Sequence, residues 1–292
     1  MIEPTMKYHT FTEFYQICRN RLQAALFDID GTLSIGSRPL PGAAKLLDMM
    51  NSDNFPYMLL TNDSCHSTVE KAAMLQNAGL PVGEERIISA GNVLKQWAAA
   101  SGYRGELFFQ CGQLGNPPYA GMARINVTCD PARIDECYGV LCGEGMFDWQ
   151  ASIEAVFNYF LVHPEAPLVV ANPDSYWPSC HHDGMGVGSG AIARFITALL
   201  RDAGVKKEPV YLGKPYAPIY QYALETLRRT FPYVNPLNAA KTAMVGDSLA
   251  SDIRGGNANG LFTCLVLSGI TDMSLVENAT AERRPAAIFD SI

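Results

Sequence analysis

The sequence predicts a doubly wound α/β fold, in which helices cover both faces of a parallel sheet and a smaller α/β domain is inserted. Three observations predict it: short runs that are apolar throughout, helix-like stretches between them, and one long gap in an otherwise even spacing. Parallel strands that are buried on both faces are apolar throughout, and helices alternate with them along the chain. We therefore expect a Rossmann-like core.

Apolar runs and helical periodicity define the elements of this core. Runs that predict buried strands occupy residues 24–27, 57–60, 210–212, 243–245, 263–267 and 286–289. Helical periodicity occurs in residues 43–50, 67–78, 217–229 and 249–257. Gly79 and Gly260 come shortly after two of these helices, where a left-handed residue commonly ends a helix. Predicted strands and helices alternate along the chain, as in a parallel sheet whose strands are joined by crossover helices.

The spacing of four polar residues locates the inserted domain. Asp28 and Thr61 are 33 residues apart, and so are Lys214 and Asp247, which matches one strand–helix–strand step. The interval from Thr61 to Lys214 is 153 residues. It exceeds one step by about 120 residues, enough for a small domain. We expect a core of residues 1–91 and 209–292, and an inserted domain of residues 92–208.

Composition excludes several classes of function. The chain has 292 residues, which suits two domains, and a net charge of -7, which argues against a nucleic-acid partner. The chain has no apolar run of the roughly 18 residues that a membrane span requires, and its first twenty residues do not resemble a signal peptide. The eight cysteines include no CxxC pair, so we expect reduced thiols and a cytoplasmic location.

The segment Leu26–Thr32 carries the strongest local signal for chemistry. Asp28 and Asp30 stand two residues apart at the end of a predicted strand, so both can lie at one edge of the sheet. A calcium loop would need glycine at its sixth position and glutamate at its twelfth, but Pro39 is the twelfth residue here. A strand-end turn with two solvated aspartates remains an alternative for this segment alone.

The other predicted strands also end in residues that suit a phosphate group. Thr61 and Asn62 offer a hydroxyl and an amide, and Lys214 offers an ammonium group. Asp247 follows another strand, and Asp252 lies one turn further on. Any one of these residues could be a helix cap or a solvated side chain. Together they predict a site for a phosphoryl group and a metal ion.

In this order the four elements resemble the four motifs of the haloacid-dehalogenase-like (HAD) hydrolases. The long insert after the second motif resembles the NagD-like branch with a type-two cap, which includes 4-nitrophenylphosphatase, phosphoglycolate phosphatase and pyridoxal phosphate phosphatase. The resemblance covers nearly the whole chain apart from the first twenty residues. Further matching segments are residues 38–43, 171–174, 188–192 and 257–260.

The resemblance implies a magnesium-dependent phosphatase that uses an aspartate as its nucleophile. Asp28 would attack phosphorus and form an aspartyl-phosphate, and Asp30 would act as general acid and then as general base. Mg²⁺ would be held by Asp28, by the backbone carbonyl of Asp30 and by Asp247. Asp252 would support the site by orienting Lys214 or a water on the metal.

The resemblance also implies a phosphate-binding set and a class of substrate. Thr61, Asn62 and Lys214 would hold the phosphoryl oxygens. The substrate would be a small phosphorylated metabolite of the sugar phosphate, phosphoglycolate, nucleotide or pyridoxal phosphate class. We expect no nucleic-acid or membrane partner, and a homodimer formed through the cap. A phosphotransferase or phosphomutase on the same site, and a non-catalytic binding protein of the same fold, remain alternatives.

The cap sequence contains one polar loop whose role the sequence leaves open. His181, His182 and Asp183 follow one another, and adjacent side chains rarely bind one metal ion together. A loop that faces the substrate and a solvated loop are the other two interpretations.

Overall fold

The computed structural model describes residues 6–178 and 184–292. The chain divides into two compact units. The first unit contains the described residues up to Thr61, Thr68–Ile88 and Lys214–Ile292, and the second contains Asn62–Ser67 and Ser89–Gly213. The predicted domain limits, 1–91 with 209–292 and 92–208, stay a prediction.

Strands and helices alternate along most of the described chain. The strands are β1 (Met6–Thr10), β2 (Ala24–Phe27), β3 (Ser34–Ile35), β4 (Arg38–Pro39), β5 (Tyr57–Thr61), β6 (Ile87–Ser89), β7 (Leu107–Cys111), β8 (Asn126–Thr128), β9 (Val140–Cys142), β10 (Leu168–Val170), β11 (Tyr176–Pro178), β12 (Met185–Val187), β13 (Val210–Tyr211), β14 (Thr242–Gly246), β15 (Phe262–Val266) and β16 (Ala287–Ser291). The α-helices are α1 (Phe11–Cys18), α2 (Ala43–Ser52), α3 (Thr68–Asn77), α4 (Val93–Ala100), α5 (Tyr119–Ala123), α6 (Trp149–Val162), α7 (Ser189–Asp202), α8 (Ala217–Thr230), α9 (Arg254–Ala258) and α10 (Met273–Glu277).

A seven-stranded sheet forms the centre of the first unit. Its order is β1-β16-β15-β14-β2-β5-β6, and the six strands from β1 to β5 in this order run parallel. All residues of β2, β5 and β14 are buried, as expected of strands that are covered on both faces. The predicted α/β class with a parallel core sheet is confirmed.

Amphipathic helices cover this sheet. In α2 the buried positions are Ala43, Leu46, Leu47 and Met50, a spacing that places one apolar stripe against the core. The core cluster is rich in aromatic rings, and Phe11 makes edge-to-face contacts at 5.4 Å with Phe27 and with Phe289. Burial of these large side chains supplies much of the hydrophobic stabilisation of the unit.

The second unit is built on a smaller parallel sheet. Its order is β13-β10-β9-β7-β8, and each pairing is parallel. Helices α6 and α7 contribute Phe160 and Ile196 to the core, where these side chains join Phe109 and Leu168 from the strands. Strands β11 and β12 form a separate antiparallel hairpin. The unit therefore has an apolar core of its own.

The structure corrects the sequence prediction for one strand and adds two others to the large sheet. The run 210–212 was expected in the core sheet, but β13 pairs with Val169 and Val170 of β10 in the smaller sheet. A short apolar run carries no information about which sheet edge it joins, so its sequence could not decide this. Strands β1 and β6 were not predicted. Both are edge strands of the large sheet, and β1 carries the polar residues Lys7 and His9.

Candidate active site

Three neighbouring strands bring predicted site residues to one edge of the large sheet. Asp28 directly follows β2, Thr61 ends β5, and Asp247 directly follows β14. Strand β2 lies between β14 and β5, and the three are parallel. The carboxyl ends of parallel strands meet at the same edge, which is where ligands bind in open α/β sheets. All three side chains are buried.

Lys214 lies between two of the carboxylates. Its Nζ atom donates to Asp28 Oδ1 at 2.6 Å and to Asp252 Oδ1 at 2.7 Å. The lysine side chain is only 3% exposed. Burial opposes the charge, but attraction to Asp252 and Asp28 outweighs it and holds the pKa of Lys214 well above its ordinary value. Lys214 is therefore a fixed, permanently charged group beside Asp28.

Three carboxylates form a compact acidic cluster. Oxygen atoms of Asp28, Asp247 and Asp252 lie within 4.8 Å of one another, and all three residues are buried. Burial raises the pKa of Asp28 well above its ordinary value despite Lys214, and the other two carboxylates add to the shift. Burial and then repulsion from Asp252 raise the pKa of Asp247 to about 7.

This donor set fits a hard divalent cation. Carboxylate oxygens are the ligands that Mg²⁺ and Ca²⁺ prefer, and a cation would offset the mutual repulsion that remains after Lys214 is counted. The cluster carries three carboxylates and one ammonium group. With all three carboxylates ionised the net charge of the cluster is -2, which one divalent cation would neutralise.

Backbone groups hold two of these carboxylates in place. The N–H of Ile270 donates to Asp247 Oδ2 at 2.8 Å, and the N–H of Ser248 donates to Asp252 Oδ2 at 3.1 Å. A π-helical turn, Leu249–Ile253, carries Asp252 towards Lys214. A Cβ atom on Gly269 would lie 1.8 Å from Asp247 Oδ2, so only glycine lets the backbone approach this closely.

Asp30 has a different environment from Asp28. Its side chain is 48% exposed, and its Oδ2 atom lies 3.2 Å from Nζ of Lys71. Lys71 belongs to α3, and its own side chain is only 8% exposed. The sequence analysis did not predict Lys71, because a lysine in a polar helix normally lies in solvent.

Asn62 directly follows Thr61 in the chain but is grouped with other residues. It belongs to the second compact unit, where its side-chain amide donates to Asp174 Oδ2 at 3.0 Å. The backbone N–H of Asp174 donates in turn to Asn172 Oδ1 at 2.9 Å. Asp28, Asp30, Lys214, Asp247 and Asp252 belong to the first unit with Thr61.

The second unit contains a buried carboxyl group that the sequence did not single out as functional. Glu144 is 4% exposed, and its Oε1 atom accepts a hydrogen bond of 2.6 Å from Asn172. Burial is the main cause that raises the pKa of Glu144 to about 7, although the bond from Asn172 opposes it. The loop His181, His182 and Asp183 lies outside the described residues, so its predicted roles stay open.

Comparisons with known proteins agree with this geometry. A model described as haloacid dehalogenase-like hydrolase matches residues 25–116, and one described as HAD-hydrolase-like matches residues 211–292. The chain belongs to the haloacid dehalogenase-like hydrolases, in the NagD-like branch. It is a phosphatase, that is, a phosphoric monoester hydrolase.

Individual relatives match over most of their length. A dihydroxyacetone phosphatase of Corynebacterium glutamicum is 27% identical over 91% of this chain and 88% of its own. The ribonucleotide monophosphatase NagD of Escherichia coli is 25% identical over 93% of this chain and 97% of its own. The crystal structure of a glycerol phosphate phosphatase of Mycobacterium tuberculosis in complex with magnesium has a TM-score of 0.75 at 23% identity, covering 93% of this chain and 76% of that chain. Phosphatases of this family use a divalent metal.

Proposed function

We propose that this protein is a magnesium-dependent phosphatase that hydrolyses a small phosphomonoester through an aspartyl-phosphate on Asp28. The arrangement of Lys214 between Asp28 and Asp252, beside Asp247, supports this proposal most directly. During phosphoryl transfer, negative charge accumulates on the phosphoryl oxygens, next to the attacking carboxylate. The ammonium group of Lys214 lies within 3 Å of that carboxylate, so it can stabilise this charge.

In the first step Asp28 attacks the phosphorus atom. A bond forms between a carboxylate oxygen of Asp28 and phosphorus, and the bond from phosphorus to the leaving oxygen breaks. Asp30 gives its proton to that leaving oxygen, so an alcohol departs instead of an alkoxide. In the second step Asp30 takes a proton from water, the water oxygen attacks phosphorus, and the bond from phosphorus to Asp28 breaks.

The remaining residues bind and orient. Lys214 and Thr61 hold phosphoryl oxygens, and Asn62, which directly follows Thr61 in the chain, is proposed as a further donor. Asp252 fixes the ammonium group of Lys214 through their 2.7 Å contact.

The carboxylates of Asp28 and Asp247 and the backbone carbonyl of Asp30 would hold Mg²⁺. The ion would supply charge stabilisation for the phosphoryl group.

The proposed substrate is a phosphorylated metabolite of the sugar phosphate, phosphoglycolate, nucleotide or pyridoxal phosphate class. Relatives named for dihydroxyacetone phosphate hydrolysis and for ribonucleotide monophosphates support a substrate of this size. None of the helices within residues 6–178 and 184–292 combines the length and hydropathy of a membrane span. A cytoplasmic location and a homodimer through the cap stay predictions, which cell fractionation and sedimentation would test.

A panel of phosphomonoesters tests the proposal. With Mg²⁺ present, we expect release of inorganic phosphate from at least one class, and rapid acid quenching should trap a phosphorylated protein. Asp28→Asn should abolish both, whereas Asp48→Asn, on an exposed helix position, should change neither. A purified protein that is inert towards the whole panel would contradict the enzyme assignment. Transfer of phosphate to an added alcohol in preference to water would favour the phosphotransferase alternative.

A further inference from the structure

A buried lysine lies next to the proposed general acid. Lys71 is on α3, eight residues before Gly79, and its side chain is 8% exposed. Its Nζ atom lies 3.2 Å from Oδ2 of Asp30. Burial of an ammonium group lowers the stability of the folded protein unless a partner compensates the charge. The position of Lys71 beside Asp30 therefore points to a role for this pair.

Asp30 itself is poorly enclosed. Its side chain is 48% exposed, in contrast to Asp28, whose side chain is 10% exposed. An exposed carboxyl group samples several rotamers, whereas proton transfer requires a heavy-atom distance of about 2.6–3.2 Å to the leaving oxygen. A contact from a lysine that is itself enclosed restricts Asp30 to one orientation.

We propose that Lys71 is a positioning residue, which fixes the Asp30 carboxyl group for proton transfer to the leaving oxygen. This inference rests on the proposed function, because it takes the acid role of Asp30 from it. In this role Lys71 acts through Asp30 and does not itself bind the phosphoryl group. Its importance therefore depends on how much the leaving group needs a proton.

Two substrates with different leaving groups distinguish a positioning role of Lys71 from a purely structural role. p-Nitrophenolate leaves without much help from an acid, whereas the alkoxide of glycerol 2-phosphate requires protonation. The ratio kcat/KM reports the steps up to departure of the leaving group, so the later action of Asp30 as a base does not enter it. Loss of Lys71 should therefore reduce kcat/KM selectively for glycerol 2-phosphate.

We expect Lys71→Met to lower kcat/KM for glycerol 2-phosphate by about 100-fold, since a misplacement of about 1 Å has an effect of this size. For p-nitrophenyl phosphate the loss should stay below about threefold. Lys71→Arg, which keeps a charged donor, should recover most of the activity. Lys45→Met, on an exposed position of α2, is the matched control and should change neither value. If Lys71→Met fails to fold, Lys71→Gln replaces it.

A double-mutant cycle decides whether Lys71 acts through Asp30. In the Asp30→Asn background, Lys71→Met should cause no further loss on glycerol 2-phosphate. A further loss there, or an equal loss on both substrates with Lys71→Met alone, would overturn the inference. If Asp30→Asn itself affects both substrates equally, the acid role in the proposed function fails. If instead Asp30→Asn lowers kcat/KM mainly for glycerol 2-phosphate but Lys71→Met lowers it equally for both substrates, the acid role of Asp30 stands and only the role of Lys71 fails.

Discussion

The ammonium nitrogen of Lys214 lies 2.6 Å from a carboxylate oxygen of Asp28, and both side chains are buried. The same nitrogen lies 2.7 Å from Asp252, so one cation compensates two enclosed carboxylates. Breaking a buried pair by removing one partner leaves an uncompensated charge, which costs far more than the pair itself contributes. We therefore expect the stability of the first unit and the proposed chemistry of its site to depend on the same ammonium group.

We expect Lys214→Met to lower the free energy of unfolding by about 3–5 kcal/mol and to abolish phosphate release. The reason is that Asp28 and Asp252 stay enclosed without their cation. Urea denaturation of the metal-free protein measures the effect. Lys206→Met, on a side chain that is 85% exposed, is the control and should cost less than about 0.5 kcal/mol. Equal losses in the two variants would show that the contact of Lys214 with the carboxylates is not needed for stability.

Addition of Mg²⁺ should raise the melting temperature of the protein, because an ion that binds only the folded state stabilises it. At a concentration of about 100 times Kd the gain is about 2.7 kcal/mol. Asp247→Asn should remove most of the shift, since it takes one carboxylate from the acidic cluster. Asp48→Asn should retain it. Thermal denaturation with and without Mg²⁺ measures the rise in melting temperature of each variant. A rise in Asp247→Asn as large as that of the unmodified protein would show that Asp247 is not a ligand of the metal ion.

Gly269→Ala should weaken metal binding without unfolding the protein. Its Cβ atom would lie 1.8 Å from Asp247 Oδ2, so the carboxylate has to move. Changes in groups that orient metal ligands typically reduce metal affinity about 10- to 100-fold. Titration of activity with Mg²⁺ measures the change. Gly121→Ala is the control, because among the described residues no atom outside its own helix backbone and its two chain neighbours lies within 4 Å of its Cβ position. An unaltered affinity in Gly269→Ala would mean that the site tolerates displacement of Asp247.

Glu144 predicts a pH dependence of stability. Its pKa is about 7 in the folded protein and has an ordinary value of 4.5, so the folded state keeps a proton that the unfolded chain has released. The free energy of unfolding should therefore fall as the pH rises from about 4.5 to 7, by about 3 kcal/mol from this group.

Denaturation at pH 5 and pH 8 tests this dependence. Glu144→Gln should lose less stability over that interval than the unmodified protein, because glutamine carries no proton to release. Glu208→Gln, on a side chain that is 79% exposed, is the control and should keep the full dependence. If Glu144→Gln keeps it as well, the carboxyl group of Glu144 does not titrate in the predicted range.

The sequence predicted the parallel core and several residues at its edge for a simple reason. Asp28, Thr61 and Asp247 each follow an apolar run, and the topology of parallel strands brings such positions together. Asp252 was predicted because it lies one turn beyond Asp247. These positions follow from where each strand ends in the sequence, or from one helical turn beyond that end.

Residues that depend on contacts distant in the chain were not predictable in this way. Lys71 is separated by 41 residues from Asp30, and its burial follows from the packing of α3. Glu144 is 28 residues from Asn172, and the two residues follow the paired strands β9 and β10. Neither residue differs from an ordinary surface residue in its local sequence, because burial is a property of the folded unit.

Strand β13 has a practical consequence for protein engineering. It ends at Tyr211 and pairs with β10, and Lys214 follows after only two residues. A chimaera that exchanges the insert at residue 208 would separate β10 of the graft from its own neighbouring strand, so it has to pair with the β13 of the recipient. Grafts that join at Gly213 keep the original pairing, and they keep Lys214 with the recipient core. Exchange of the insert in this protein therefore has a natural junction at Gly213, one residue before Lys214.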